Sequence, residues 1–323
     1  MRIATVTFNP AIDQTIMLDR LVPGEVHRAR SIRQDVGGKG VNVASCLADW
    51  GANVSVFGLL GEGNAGLFES LFAQKGISDH FLRVAGDTRV NMKIVDGVTT
   101  TDINMNGAAV QDAQVAEVEA AVADFAGEDA LIILSGSLPP GCRPDVYADM
   151  VAALSARGAR VLLDTSGSPL TQALRPAGLL PFVVKPNRRE LAAWAGEPLD
   201  GIEDVVRCAE ALHGRGVELV VVSMGEDGAL FLSNGGAIIA HVPAGPLTST
   251  VGAGDAMVAG LAAALAQGAD LERIARLSTA FAVAKLGRPG PHLPGLATID
   301  ALAEQVTITG ARTTGPAILG EVK

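Results

Sequence analysis

Residues 249–255 read Ser-Thr-Val-Gly-Ala-Gly-Asp and lead directly into an apolar stretch of helical character. Glycines allow successive backbone N–H groups to converge, and the first turn of a helix adds positive potential, so such a turn can hold an anion. The carboxylate of Asp255 in the same turn could accept a proton from a hydroxyl group that attacks this anion. An aspartate at a helix start can also serve only to complement the helix dipole. The segment therefore suggests group-transfer chemistry without establishing it.

A second glycine-rich segment, residues 37–44, reads Gly-Gly-Lys-Gly-Val-Asn-Val-Ala and also opens an apolar, helix-like stretch. It lacks the GxxxxGK[ST] spacing of a phosphate loop, because Arg33 stands where the first glycine should be. Lys39 and Asn42 could instead hold the oxygens of a substrate. Alternatively, the glycines could merely permit close packing of the loop.

Residues 61–66 carry a competing signal, because they match the GxGxxG pattern of dinucleotide-binding folds. The strand before them is not the first of a clear βαβ unit, and Glu62 would present a negative charge to a pyrophosphate. We therefore favour a turn that leads into a helix. A nucleotide-linked oxidoreductase is the weaker alternative.

The elements that must position these segments alternate in the order typical of an α/β fold with a mostly parallel sheet. Short apolar runs predict strands buried on both faces at residues 3–7, 54–58, 130–135, 159–164, 182–185 and 219–223. Helices are predicted at 41–50, 66–75, 112–125, 144–157, 189–195, 202–213, 255–266 and 271–285, and a hairpin at 230–242. The weakly periodic tail from residue 307 is expected to be poorly ordered.

Two stretches, residues 12–36 and 89–105, alternate polar and apolar residues with no helix within either stretch. Half-buried strands from these two places could pair into a small second sheet beside the core. We expect a core domain of residues 1–11, 38–86 and 107–323, and a lid of residues 12–37 and 87–106. Arg89 and Lys93 would share one face of a lid strand, where they could be solvated or could face a site.

Polar residues follow several of the predicted strands, at the sheet edge where ligands of open α/β folds bind. They are Asn9, Asp13, Ser135, Ser137, Lys185, Asn187, Glu190 and Ser223. Any one of them alone is more often a turn or cap residue. Their number at one edge favours a binding site.

The composition narrows the possible classes of function. The chain of 323 residues has a formal net charge of −10 and no run of Lys or Arg, which argues against a nucleic-acid partner. Cys46, Cys142 and Cys208 follow no metal-ligand spacing, so neither a disulfide framework nor a zinc site is expected. Because no signal peptide or membrane-spanning run is evident, we expect a cytoplasmic protein without a membrane partner.

Taken together, these segments resemble the PfkB/ribokinase family of carbohydrate kinases over nearly the whole chain, from Thr7 to about Leu286. The two signature segments, 37–44 and 249–255, are present in order. Between them, Ser-Gly-Ser-Leu-Pro-Pro-Gly at 135–141 and Val-Lys-Pro-Asn-Arg-Arg-Glu-Leu at 184–191 also match. The resemblance implies an α/β, ribokinase-like, doubly wound and mostly parallel sheet with a small β-sheet lid, and a homodimer formed through the lid.

The resemblance also implies a role for each matching residue. Asp255 would be the general base, and the backbone N–H groups of Gly252, Ala253 and Gly254 would form an anion hole. The sugar phosphate would be bound by Asp13, Gly38, Lys39, Asn42, Arg89, Lys93 and Ser137. The ATP side would be lined by Lys185, Asn187, Ser223, Gly225, Gly228 and Thr250, and Glu190 would organise Mg²⁺ through water.

Within the family, residues 7–13, 24–26, 88–93 and 187–196 are most similar to kinases that act on fructose 1-phosphate. The implied reaction is ATP-dependent phosphorylation of its 6-hydroxyl to give fructose 1,6-bisphosphate. Related kinases that use tagatose 6-phosphate or fructose 6-phosphate share much of this pattern, so these are the alternative acceptors. A catalytically silent sugar-phosphate sensor is less favoured, because Asp255 and the glycine turn before it are intact.

Overall fold

A computed structural model describes residues 1–175, 178–242, 252–286, 288 and 290–311 of the chain. Within these residues, ten strands form one large sheet. They are β1 (Arg2–Thr7), β4 (Val54–Gly61), β5 (Ser78–Val84), β8 (Ala130–Ser135), β9 (Arg160–Asp164), β10 (Val183–Val184), β11 (Leu219–Ser223), β12 (Ala229–Ser233), β13 (Gly236–His241) and β14 (Thr307–Gly310).

The strand order of this sheet is β14-β13-β12-β11-β10-β9-β8-β1-β4-β5. The strands from β11 to β5 pair in parallel, whereas β12, β13 and β14 are antiparallel. Because β1, β8, β9 and β10 run parallel, their carboxyl ends lie at one edge of the sheet, beside β1, where the order of the strands along the chain reverses. This is where ligands bind in doubly wound folds.

Helices cover both faces of the large sheet, which explains why its central strands are apolar throughout. They are α1 (Lys39–Asp49), α2 (Gly66–Lys75), α3 (Asp112–Phe125), α4 (Val146–Ser155), α5 (Ser168–Ala173), α6 (Arg188–Ala195), α7 (Ile202–Gly214), α8 (Ala253–Ala266), α9 (Leu271–Leu286) and α10 (Leu296–Gln305). One apolar core joins α1, α2 and α8–α10 to the sheet, and a second joins α3–α7 to the opposite face. None of the helices in the described part of the chain is long and apolar enough to cross a membrane.

A separate four-stranded sheet has the order β3-β2-β6-β7, with β2 at Ala11–Met17, β3 at Ser31–Gly37, β6 at Val90–Val95 and β7 at Thr100–Ile103. The pairing places Asp13 opposite Asn91 and Asp35, and places Ile16 opposite Ile32 and Ile94. One face of the sheet is therefore polar and the other largely apolar. The polar face is directed at the core, since a Cβ atom on Gly290 would lie 3.0 Å from Asp35 Oδ1.

The α/β architecture with a small second sheet is thus confirmed, while the assignment of chain segments to two domains stays a prediction. The expectation of a poorly ordered end from residue 307 was wrong for residues 307–310, and residues 312–323 of that tail lie outside the described residues. Thr307–Gly310 form β14, because this segment pairs with the otherwise open edge of β13. Strand β5 and helices α5 and α10 were not anticipated from the sequence.

The GxGxxG segment serves packing in this structure. A Cβ on Gly61 would lie 2.3 Å from the backbone N of Thr88, and one on Gly63 would lie 2.2 Å from Asp87 Oδ1. Asn64 completes the contact by exchanging two 2.8 Å hydrogen bonds with the backbone of Thr88. The glycines therefore allow the segment before Arg89 to lie against the end of β4.

Candidate active site

Asp255 lies in the first turn of α8, and its side chain is buried. Its Oδ2 atom accepts a 2.7 Å hydrogen bond from Nδ2 of Asn42 on α1. Burial raises the pKa of Asp255 to about 6, although Lys39, Lys185 and the Asn42 hydrogen bond act in the opposite direction and the charge of Asp164 adds to the rise. A carboxyl group with this pKa is suited to act as a general base near neutral pH.

Backbone N–H groups at the start of α8 have no acceptor within the helix. Gly252 is the N-cap of α8 with a φ of 80°, in the left-handed region that glycine favours. The N–H of Ala256 donates back to the carbonyl of Gly252, so the preceding amides at 253–255 have no acceptor within the helix. These are the groups that bind anions at helix N-termini.

An ion cluster borders the same site, with Asp164 and Lys185 buried and Lys39 partly exposed. The Nζ atoms of the two lysines lie 3.3 Å and 3.2 Å from Asp164 carboxylate oxygens, at the carboxyl end of β9. Burial opposes charge on Lys39, but the carboxylates of Asp164, Asp255 and Glu190 outweigh it and raise the pKa of Lys39. The two lysines in turn hold the pKa of Asp164 below its usual value despite complete burial. The cluster thus keeps two cations near the first turn of α8, where a Cβ on Gly254 would lie 3.8 Å from Lys185 Nζ.

The polar face of the small sheet contributes Asp13. Its Oδ1 accepts a 3.0 Å hydrogen bond from Nδ2 of Asn91 on β6. A Cβ on Gly37 would lie 2.3 Å from Asp13 Oδ2, and one on Gly38, whose φ is 98°, would lie 2.8 Å from the Cα of Pro10. The first two glycines of the 37–44 segment thus allow the start of α1 to approach the carboxylate of Asp13.

Arg89 fixes the junction between the two sheets. Its guanidinium donates to the backbone carbonyls of Pro10 at 3.2 Å, Met105 at 2.6 Å and Asn9 at 3.0 Å. Burial lowers the pKa of this arginine, and the charge of Asp13 partly offsets the effect. Arg89 is therefore held in place before any ligand binds.

Lys93 lies on the small sheet, whereas Ser137 follows a strand of the large sheet. Lys93, on β6, forms a long 3.6 Å ion pair with the half-exposed Asp102, a contact that costs little to exchange for another anion. Ser137 follows β8, and its Oγ accepts a 3.2 Å hydrogen bond from Nδ2 of Asn9.

The residues assigned to ATP from the sequence lie along β10, β11 and the start of α6. Lys185 directly follows β10, and Asn187 forms a β-bridge with Ser223 at the end of β11. Gly225 begins a 3₁₀ turn and Gly228 follows it; a Cβ on Gly228 would lie 2.3 Å from the carbonyl oxygen of Ala240. Thr250 lies outside the described residues.

Asn187 and Glu190 form a reciprocal capping box at the start of α6. The Asn187 N–H donates to Glu190 Oε2 at 2.8 Å, and the Glu190 N–H donates to Asn187 Oδ1 at 2.8 Å. In the described part of the chain there is no cluster of three or more His, Cys, Asp or Glu side chains that could hold a metal. The single carboxylate of Glu190 fits a Mg²⁺ ion that arrives with nucleotide phosphates and keeps its water ligands, rather than an ion held by protein ligands alone.

Sequence reasoning missed Asp164 and Asn91. Asp164 closes a predicted strand, and that position was the available signal, but its lysine partners lie 125 and 21 residues away. Asn91 required the register between β2 and β6, which the sequence alone did not provide.

This combination of a doubly wound sheet, a small second sheet and a buried Asp after a glycine turn defines a carbohydrate kinase of the ribokinase type. The profile of the pfkB family carbohydrate kinases matches residues 6–298, and the chain belongs to this family. The family resemblance noted from the sequence is thereby confirmed.

Several relatives share the name 1-phosphofructokinase. The protein of that name from Xanthomonas campestris pv. campestris is 54% identical over 286 residues, which cover 87% of this chain and 90% of the relative. The one from Rhodobacter capsulatus is 46% identical and covers 95% of this chain and 98% of the relative. Among solved structures, phosphofructokinase-2 from Escherichia coli in complex with fructose-6-phosphate is similar with a TM-score of 0.85 and 28% identity, covering 94% and 98% of the two chains.

Proposed function

We propose that this protein transfers the γ-phosphoryl group of MgATP to the 6-hydroxyl of fructose 1-phosphate, giving fructose 1,6-bisphosphate and ADP. The observation that carries the proposal is the buried Asp255, with a pKa of about 6, at the anion-binding start of α8. Relatives up to 54% identical bear the name of this activity.

In the proposed mechanism, Asp255 accepts the proton of the 6-hydroxyl as its oxygen bonds to the γ-phosphorus. The bond from that phosphorus to the bridging oxygen breaks, and ADP leaves with the electron pair. Asn42 orients the carboxylate of Asp255, and the backbone N–H groups of Gly252, Ala253 and Gly254 stabilise the charge on the transferring group.

Binding of the sugar phosphate would involve both sheets. Asp13 is placed to accept hydrogen bonds from sugar hydroxyls, supported by Asn91. Lys39, Lys93, Arg89 and Ser137 would surround the 1-phosphate, and the half-buried ammonium of Lys93 can leave Asp102 for it. Gly38 and Asn42 would complete the contacts to the sugar, close to the base.

ATP would lie along Lys185, Asn187, Ser223, Gly225, Gly228 and Thr250. Mg²⁺ supplies charge neutralisation between the phosphates when it is bound. Glu190 would hold a water ligand of this ion through the carboxylate oxygen that the capping box does not use.

We also propose a homodimer formed through the lid, the segments 12–37 and 87–106. Its apolar face leaves Ile32 59% and Ile103 41% exposed. Contact with the same face of a second copy would cover these side chains. An Ile32→Asp variant should therefore shift the mass measured by light scattering from dimer to monomer; a wild-type monomer at micromolar concentration would contradict the proposal.

The test is initial-rate ADP formation with MgATP and fructose 1-phosphate, fructose 6-phosphate or tagatose 6-phosphate. We expect kcat/KM to be at least about tenfold higher for fructose 1-phosphate. Fructose 6-phosphate is the second candidate acceptor because it is bound in the similar phosphofructokinase-2 structure. Preference for a 6-phosphate would change the assignment of the acceptor. No turnover with any of the three sugar phosphates would overturn the proposed function.

A further inference from the structure

Lys285 is a buried cation that has no part in the site described so far. It lies in the last turn of α9, and the residue is only 5% exposed. Helix α9 packs closely on α8 because Gly260 lacks a side chain: a Cβ there would lie 2.7 Å from the Cα of Ser278. The position of Lys285 relative to the start of α8 is therefore set by tight helix packing.

The side chain of Lys285 lies directly against the anion-binding turn. A Cβ on Gly252 would lie 3.2 Å from Lys285 Cε and 3.8 Å from its Nζ. The ammonium donates a 2.7 Å hydrogen bond to the carbonyl oxygen of Arg288, just beyond the end of α9. Within the described residues, this buried donor bonds to a neutral carbonyl, and no carboxylate there cancels its positive charge at hydrogen-bond distance.

Charged and titratable groups of four elements face this ammonium. Burial lowers the pKa of Lys285, while Cys46 on α1, Asp255 on α8 and Asp35 on β3 raise it, and Lys93 on β6 lowers it further. The influence of Asp255 shows that the ammonium and the proposed base interact electrostatically. A fixed charge in a water-excluded site acts strongly on charge that develops nearby.

We propose that Lys285 is a positioning residue for phosphoryl transfer. Its side chain packs against Gly252 and adds positive potential to the backbone donors at the start of α8, without touching either substrate. The inference rests on the proposed function, because it assigns the transferring phosphoryl group to this turn. It predicts that Lys285 affects the rate of transfer rather than substrate binding.

The test compares Lys285→Met, Lys285→Gln and Lys285→Arg with Lys75→Met. Met keeps the length of the side chain without charge, Gln can still donate to the Arg288 carbonyl, and Arg restores the cation. Lys75 is the matched control, since its side chain is only 9% exposed and its ammonium bonds to Ser45 and Asp49 on α1.

We expect kcat of Lys285→Met and Lys285→Gln to fall by about 10- to 100-fold with both KM values within about threefold of wild type. Lys285→Arg should recover most of kcat. Lys75→Met should lower the melting temperature but leave kcat of the folded enzyme near wild type.

The assay uses whichever sugar phosphate the wild-type enzyme phosphorylates, so the inference and the proposed function can fail separately. If wild type is active and the folded Met and Gln variants keep wild-type kcat, the inference is wrong and the function stands. If Lys75→Met lost as much kcat as Lys285→Met, the effect of Lys285 would be one of packing, and the inference would be wrong. If wild type phosphorylates none of the three sugar phosphates, the proposed function and the inference fall together.

Discussion

Removing the side-chain amide of Asn42 should move the pH dependence of catalysis to higher pH. Nδ2 of Asn42 donates a 2.7 Å hydrogen bond to Asp255 Oδ2, which favours the charged form of the carboxyl group. Burial already raises the pKa of Asp255 to about 6. Without the amide, the effect of burial is opposed by Lys39 and Lys185 alone.

The size of the shift follows from the energy of a hydrogen bond to a charged group. Such a bond contributes about 1.5–3 kcal/mol, and each pKa unit corresponds to about 1.4 kcal/mol. The pKa of Asp255 in Asn42→Ala should therefore rise by about one to two units, to between about 7 and about 8. At pH 7 the deprotonated fraction would fall from about nine-tenths to between about one-tenth and one-half.

The measurement is kcat/KM for fructose 1-phosphate between about pH 5.5 and 9. The fall of kcat/KM on the acid side of this profile, its acid limb, reports the pKa of the base in the free enzyme. The substrate phosphate also titrates near pH 6, but it does so equally for both enzymes, so the difference between them isolates Asp255. Asn91→Ala is the control, since Asn91 donates to Asp13 instead, and it should raise KM without moving the limb. Coincident acid limbs for wild type and Asn42→Ala would refute the assignment of Asp255 as the base.

Three further predictions concern the charged groups of the site. Asp255→Asn should lower kcat by orders of magnitude and stabilise the fold by about 3 kcal/mol at pH 8. The reason is that the raised pKa of Asp255 in the folded state destabilises the wild-type protein above pH 6 and not below about 4. Urea unfolding of both proteins at pH 8 and pH 4 checks this, and equal stability of variant and wild type at pH 8 would contradict it. Asp164→Asn should cost about 3–5 kcal/mol in urea unfolding by leaving the buried Lys185 without its ion-pair partner; a loss below about 1 kcal/mol would argue against a coupled cluster. Arg89→Ala should raise KM for the sugar phosphate far more than KM for ATP in steady-state assays, and equal effects would count against its placement.

The sequence predicted the parts of the fold that depend on local pattern. Alternation in residues 12–36 and 89–105 indicated the strands of the small sheet, and continuous apolar runs indicated the central strands. The edge strand β14 was missed because its four residues have little apolar character and are stabilised mainly by pairing with β13. Strand β10 is only two residues long, shorter than the predicted run, because Pro186 has no backbone N–H to continue the pairing, although Asn187 still bridges to Ser223.

The candidate site was predictable where a motif is contiguous and not where it is assembled in space. The glycines before Asp255 indicate the turn directly in the sequence. By contrast, Asp164 acts through Lys39 and Lys185, which come from two other segments of the chain, so no spacing reveals the cluster. Lys285 was treated only as part of a helix, because its contact with Gly252 depends on the packing of α9 on α8.

The pKa of Asp255 depends on the same ions that would hold the phosphates in place. Burial raises it, Lys39 and Lys185 lower it, and Asp164 limits the effect of both lysines. Loss of Asp164 should therefore move the acid limb to lower pH, opposite to the loss of Asn42. A base in contact with two cations alone would ionise more readily but would be a weaker proton acceptor, so Asp164 keeps the base near the pH at which it works best.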